Sequence, residues 1–311
     1  MRPVIAAVVA AAVASIAAGC ASDPASDASS DPSNDPDAAW MQPAGTPMGA
    51  DLVVPQGAQL VGPVFSSVSQ RSPIYGGDWY VDGQQGYLLS DADISQISDD
   101  LVAQLGGPQG LQTQYNDTVC NQEIDRGGPL GVDTQPYTDD LDADAVEIIC
   151  SATLPNGVSE VGEGITFDLR QDATEADTPV QGVLTWSGSS VEVPTDLPQA
   201  PGVNGDTDVI TSDVEGDPDL EVVEGSFLAG PQGWGSITGG FTAVVGVTGD
   251  PDEVFDAYMA YINADPVVID QQVGALRVRQ GQAGGAGGVT YTVTLNEMDG
   301  NAWILLEAYN D

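Results

Sequence analysis

Residues 240–264 read GFTAVVGVTGDPDEVFDAYMAYINA, and the period of their apolar residues changes once, at Asp250. Before it, Phe241, Ala243, Val245 and Val247 alternate with their neighbours, the period-2 pattern of a strand with one buried face. After it, Val254, Phe255, Tyr258, Tyr261 and Ile262 recur at helical spacing and form one apolar stripe. Asp250 can cap the first turn, Pro251 suits the first helical position, and Glu253 stands where a capping box places its acid. Alternation then returns. Val289, Tyr291, Val293 and Leu295 alternate with threonines, and MDGN (298–301) turns the chain into AWILLEAY (302–309).

The same order of patterns occurs earlier in the chain. EGSFLAGP (224–231), just before the quoted stretch, has a counterpart in QGAQLVGP (56–63). After that counterpart, Ser90 can cap a helix with Asp93 three residues on. Ile94, Ile97, Leu101 and Leu105 form the stripe, and Gly106 stops it. Val146, Ile148, Cys150, Ala152 and Leu154 then share one strand face, and Ile165, Phe167 and Leu169 alternate after a PNG turn. The expected fold class is α+β: two related modules, each an antiparallel sheet with one helix packed on a face, in the order β-β-α-β-β-β. Internal duplication is the reading of the repeated phrase, with two independent domains sharing a turn as the alternative. The expected organisation is a leader at 1–19, an acidic Ser/Asp/Pro tether at 20–50, a first module at 51–190, an acidic Pro/Gly linker at 191–220 and a second module at 221–311. The stretch from Val191 to Glu221 carries nine acids and no base.

The first forty residues read as an address. Arg2 precedes an apolar run from Val4 to Ala18, the charged and apolar regions of a signal peptide. The run is too short and too Ala-rich for a spanning helix, which needs about 20 apolar residues. It ends in Ala17-Ala18-Gly19-Cys20, which resembles the lipobox of bacterial lipoprotein precursors, with Ala17 at a position where Leu is commoner. The resemblance covers only this leader. It implies cleavage before Cys20, a lipid on its sulfur, and a membrane-anchored protein facing outside the cytoplasm; ordinary secretion and an uncleaved anchor are the alternatives. SDPASDASSDPSNDP (22–36) then suits a tether, because it has no apolar periodicity and only negative charge. About 25 such residues span some 25–30 Å by coil statistics. With Cys20 lipidated and the rest outside the cytoplasm, Cys120 and Cys150 are expected to pair, two buried free thiols being the alternative.

Composition closes several chemistries. The chain has no His and six Lys plus Arg, all six being Arg. Ser–His–Asp and Cys–His nucleophiles, His-containing zinc sites, Schiff-base lysines and Walker-type phosphate loops are therefore excluded. Against those six stand 47 Asp plus Glu, for a net charge of −41 that becomes about −42 when Arg2 leaves with the leader. Such a chain disfavours nucleic acid and anionic lipid surfaces, both of which are met by Lys and Arg.

What remains is carboxylates, hydroxyls, Tyr and backbone. Dense acids suit Ca²⁺, which takes six to eight oxygens. Candidate ligands are Asp139, Asp140, Asp142 and Asp144 in the first module and Asp206, Asp208, Asp213 and Asp217 in the linker. Neither group has EF-hand spacing, and a solvated charge run is the plainer reading. Arg277 and Arg279, two residues apart on one strand face, are candidates for an anion, and pairing with surface acids is the plainer reading. A pair of carboxylates could hydrolyse glycosides without His or Lys, but nothing in the sequence selects the pair. The expected function is a membrane-anchored cell-envelope lipoprotein acting as a non-catalytic binding or interaction module for an envelope protein or small ligand. A Ca²⁺-binding envelope protein and a carboxylate-only hydrolase are the alternatives, and no cofactor beyond possible Ca²⁺ is expected.

Self-repulsion of this charge opposes folding, and salt screens it: the Debye length falls from about 8 Å at physiological ionic strength to about 3 Å at 1 M. If the acidity is an adaptation to high salt, the melting midpoint rises steadily between 0 and 3 M NaCl. A flat midpoint instead assigns it to composition bias and solubility.

Overall fold

The described residues of the protein, seen here as a computed structural model, form two large antiparallel sheets, two small two-stranded ones and two helices. It describes residues 40–71, 77–113, 118–126, 132–138, 141–155, 164–174, 178–188, 191–200, 209–210, 220–234, 240–261, 267–284 and 289–310. The chain begins β1 (Met41–Gln42), β2 (Pro47–Gly49), β3 (Leu52–Val53), β4 (Ala58–Val61), β5 (Phe65–Gln70) and β6 (Trp79–Ser90), then α1 (Ile94–Gln104). It continues through β7 (Gln112–Thr113), β8 (Cys120–Asp125), β9 (Val132–Pro136), β10 (Ala145–Pro155), β11 (Gly164–Asp172) and β12 (Val180–Ser187). After β13 (Val209–Ile210) and β14 (Leu220–Glu221) come β15 (Ser226–Trp234), β16 (Gly240–Val247) and α2 (Pro251–Tyr261). The last strands are β17 (Val267–Val273), β18 (Leu276–Gly284), β19 (Val289–Met298) and β20 (Asn301–Asn310).

The first sheet has the order β1-β4-β6-β12-β11-β10-β8-β9, with β5 also on β6 and β7 also on β10. The second has the order β15-β16-β20-β19-β18-β17. Residues 36–311 cluster as one unit, within which three buried regions follow one another. Ile94, Ile97 and Leu101 of α1 pack on Leu88, Phe167, Leu169 and Leu184 of the first sheet. Val254, Phe255 and Tyr258 of α2 pack on Val245, Val293, Ile304 and Leu306 of the second. Between the sheets, Phe65, Val68, Val81 and Tyr87 meet Val244, Val278, Trp303 and Leu305.

The α+β expectation is corrected: the protein is mostly β, with twenty strands and two helices among the described residues. An eleven-residue helix is about 16 Å long and about 10 Å across. Eight strands side by side span about 34 Å. Neither helix can cover its sheet, so the sheets cover each other. The sequence misleads because alternation reports one buried face and is silent about what meets the other. The threonines of β19 are the instructive case: Thr290, Thr292 and Thr294, the polar half of the alternation, are 7 %, 8 % and 5 % exposed.

Local starts also differ in detail. Asp93, not Ser90, is the N-cap of α1, its Oδ1 accepting from Ser95 N–H at 2.8 Å, while Ser90 Oγ accepts from Ala92 N–H in the turn before. Asp250 Oδ1 accepts from the N–H groups of Asp252 and Glu253 at the start of α2. The repeated phrases take the same backbone turns, with φ of +86° and +85° at Gly57 and Gly225, and +69° and +73° at Gly62 and Gly230. Gly62 is needed twice over: its φ is left-handed, and a Cβ there would lie 2.8 Å from Val244 Cγ1 and 3.2 Å from the Trp303 ring.

One side chain clasps the sheets together. Asn296 is 0 % exposed; its Nδ2 donates to Ser66 O at 3.0 Å and its Oδ1 accepts from Ser66 N–H at 2.7 Å. It completes the free backbone edge of β5 as a neighbouring strand would. Asn296→Ala loses both bonds and strands both backbone groups between the sheets. The expected cost is about 2–4 kcal/mol by urea unfolding, and a loss below about 1 kcal/mol would show that water or a neighbour replaces the amide.

Candidate binding cleft

The β2–β3 hairpin turns through Ala50 (φ +51°) and Asp51 (φ +62°), the two left-handed residues that a tight hairpin turn requires. The turn lays the hairpin against β6 and β12. Gly49 (φ +102°) is where they touch: a Cβ there would come within 3.1 Å of both Gln84 Oε1 and Trp186 Cζ2. Trp186 is 3 % exposed, and its Nε1–H donates to Gln84 Oε1 at 2.8 Å. Gln84 Nε2 donates in turn to Glu192 O at 3.0 Å and Ser66 Oγ at 3.3 Å. One amide thus joins the sheet, the indole and the segment that begins at Val191.

That segment is fastened at its other end as well. Asn301 Nδ2 donates to Leu197 O at 3.2 Å, Trp303 Nε1–H donates to Pro198 O at 2.7 Å, and the Leu197 side chain is buried between the sheets. Between the hairpin and this strap lies a cleft of about 1180 Å³. Met48, Leu52, Leu60, Ile165 and Trp186 supply apolar wall, and Thr46, Gln84, Glu192 and Thr195 supply polar groups. An apolar concavity with a few fixed polar groups is the usual form of a small-molecule site. A second cavity, about 200 Å³, shares Gln84, Trp186 and Ser187 with the cleft and opens between the sheets beside Glu307.

The sequence candidates fall elsewhere. Cys20, Asp139, Asp140, Asp206, Asp208, Asp213 and Asp217 lie outside the described residues. Cys120 and Cys150 are joined by a disulfide between directly opposed positions of β8 and β10. Asp142 and Asp144 shape a turn, Asp142 Oδ1 accepting from Asp144 N–H and Gln122 Oε1 accepting from Asp142 N–H. Among the described residues no three Cys, Asp or Glu converge as a metal-holding group. Arg277 and Arg279 come together on β18 and face carboxylates. Arg277 bridges Asp252, Asp270 and Glu297 at 2.9, 2.7 and 3.1 Å, and Arg279 bridges Asp252 and Asp256 at 3.1 and 2.7 Å while stacking over Phe255. They fasten α2 to its sheet. Trp186, Gln84 and Glu307 had no sequence signal, because nothing local marks a residue whose partner stands 102 or 222 positions away.

No protein-family model matches the chain, and no curated protein does. Among solved structures it is similar to the tesB protein of Mycobacterium avium subsp. paratuberculosis at 8 % identity, over 73 % of this chain and 92 % of that one, with a TM-score of 0.15. It is similar to a thioesterase II of Thermobifida fusca at 9 % identity, over 62 % and 79 %, with a TM-score of 0.15. An acyl-CoA thioesterase II of Mycobacterium marinum matches at 10 % identity, over 79 % and 94 %, with a TM-score of 0.14. Likeness at this level carries neither fold nor activity to this chain.

A buried ion cluster on the first sheet sets a pH dependence. Arg170, 8 % exposed, reaches Glu147 at 3.4 Å and Asp168 at 3.0 Å. Burial pushes the Glu147 carboxyl up to about 7, against the pull of Arg170 and with Glu123 and Asp168 adding to the rise. A raised carboxyl binds its proton more tightly in the folded state, so its contribution is complete below the ordinary carboxylate range and is lost as pH rises towards 7. The loss amounts to at most about 3 kcal/mol. Urea unfolding from pH 4.5 to 8 should show this decline in the native protein and a shallower one in Glu147→Gln; parallel curves would remove the assignment.

Proposed function

We propose that this chain is a lipid-anchored cell-envelope protein whose folded part binds a small, largely apolar ligand in the cleft under the β2–β3 hairpin. The cleft carries the reading. Its walls come from elements far apart in sequence, and they are tied together by the Trp186–Gln84–Glu192 chain of hydrogen bonds. A pre-formed apolar site loses little ordering entropy on binding. The absence of His and Lys from the sequence favours binding over nucleophilic chemistry. The Ala17-Ala18-Gly19-Cys20 leader supports the anchor, and the acidic segment after it supports a tether holding the cleft away from the membrane.

Two measurements test the two halves of this reading. Cells fed alkyne-tagged palmitate should label the native protein and not Cys20→Ala, which should leave the membrane fraction. An unlabelled native protein, or one found in the cytosol with its leader attached, overturns the anchor. For the cleft, N-phenyl-1-naphthylamine should brighten on titration with the native protein. Val64→Arg, which puts a charge on a half-buried wall position, should weaken that binding at least tenfold. No brightening, or the same affinity in Val64→Arg, overturns the cleft as the site.

A further inference from the structure

The cavity between the sheets poses a charge problem that the chain does not solve for itself. Glu307, on β20, sits in a polar rung of the second sheet, directly opposite Thr242 on β16 and Thr292 on β19. From the first sheet, Gln85 Nε2 reaches across and donates to Glu307 Oε1 at 2.7 Å. Thr185, Gln280, Thr294 and the serines of β5 are among the polar residues that line the cavity, and Phe65, Leu305 and Trp186 supply its apolar wall. Glu307 keeps intermediate accessible surface although it lies deep between the sheets, because it borders the cavity rather than a packed wall.

A buried carboxylate needs a counter-charge or a proton. The sequence has no Lys and no His, and the arginines on the described residues are placed elsewhere. Arg71 stacks on Tyr80, Arg126 meets Asp133, Arg170 lies in the Glu147 cluster, and Arg277 and Arg279 face the acids around α2. Among the described residues, Glu307 is therefore left with a neutral amide as its partner. Burial holds its carboxyl above the ordinary range, with the Gln85 bond pulling the other way.

We propose that this cavity is a binding site for a protonated primary amine, its ammonium bonded to Glu307 and the surrounding threonine and glutamine oxygens and its carbon chain against Phe65 and Leu305. An ammonium has three N–H donors for such oxygens, and it supplies the missing charge. The apolar walls favour an organic cation over a bare metal ion, which would be surrounded by oxygen on every side. A volume of about 200 Å³ holds a short chain and no more. The cavity shares Gln84, Trp186 and Ser187 with the large cleft, but Glu307, Gln85 and Thr294 belong to it alone, so the proposal does not depend on what the cleft binds.

The test is a titration of the purified full chain with n-butylammonium chloride at pH 8, total chloride held at 0.5 M so that general screening of the acidic surface is constant. Melting midpoint and heat of binding are both followed. The expected result is a saturable rise in midpoint with n-butylammonium and none with 1-butanol or tetramethylammonium, which lack the charge or the N–H donors. Glu307→Gln should bind at least tenfold more weakly. Thr294→Val, which removes one oxygen and leaves the carboxylate in place, should bind several-fold more weakly and serves if the first variant does not fold. No saturable shift overturns the proposal. So does an equal shift with tetramethylammonium, or unchanged affinity in whichever variant folds.

Discussion

Strand β20 carries large apolar side chains on both faces, and much of the structure answers that fact. Ala302, Ile304 and Leu306 point to one side and are covered by α2; Trp303 and Leu305 point to the other and must be covered too. The first sheet is the cover. Trp303 is 0 % exposed, with Phe227 edge-on at 6.0 Å and its indole N–H on Pro198 O. Fully burying such side chains contributes roughly 1.5–3 kcal/mol apiece, so separating the sheets would expose a row of them at once. The left-handed glycines at 62 and 230 belong to the same constraint, since each lets the chain turn closely against the opposing sheet, at Gly62 where a Cβ would clash and at Gly230 where it would be tight.

The seam is not uniformly apolar, and its polar inclusions are satisfied with uneven completeness. Asn296 has both amide ends matched to one backbone edge, so it orients the sheets. Glu307 has one neutral partner among the described residues and a cavity beside it. The difference is chemical: an amide can be completed by a peptide edge, whereas a carboxylate calls for positive charge in a chain that has almost none.

That scarcity shapes the rest of the molecule. The arginines on the described residues tie elements together, α2 to β18 above all, or stack on rings. Arg170, Arg277 and Arg279 are drawn into part-buried contacts, while Arg71 and Arg126 stay at the surface. A protein so built repels nucleic acid and anionic membrane surfaces.

The sequence by itself determined the charge, the chemistries excluded by the lack of imidazole and lysine, and the local periods. The stripes Ile94, Ile97, Leu101 and Val254, Phe255, Tyr258 were readable because helical spacing spans only a turn or two of chain. The fold class was not readable. Thr290, Thr292 and Thr294 have the same spelling whether they face water or another sheet, and only the second sheet's neighbour decides. Nor was either cavity readable. Gln84 meets Trp186 across 102 positions, Gln85 meets Glu307 across 222, and Asn296 meets Ser66 across 230. Pairings at such separations follow from how two sheets stack, and stacking depends on the fit of whole faces rather than on any short run of residues.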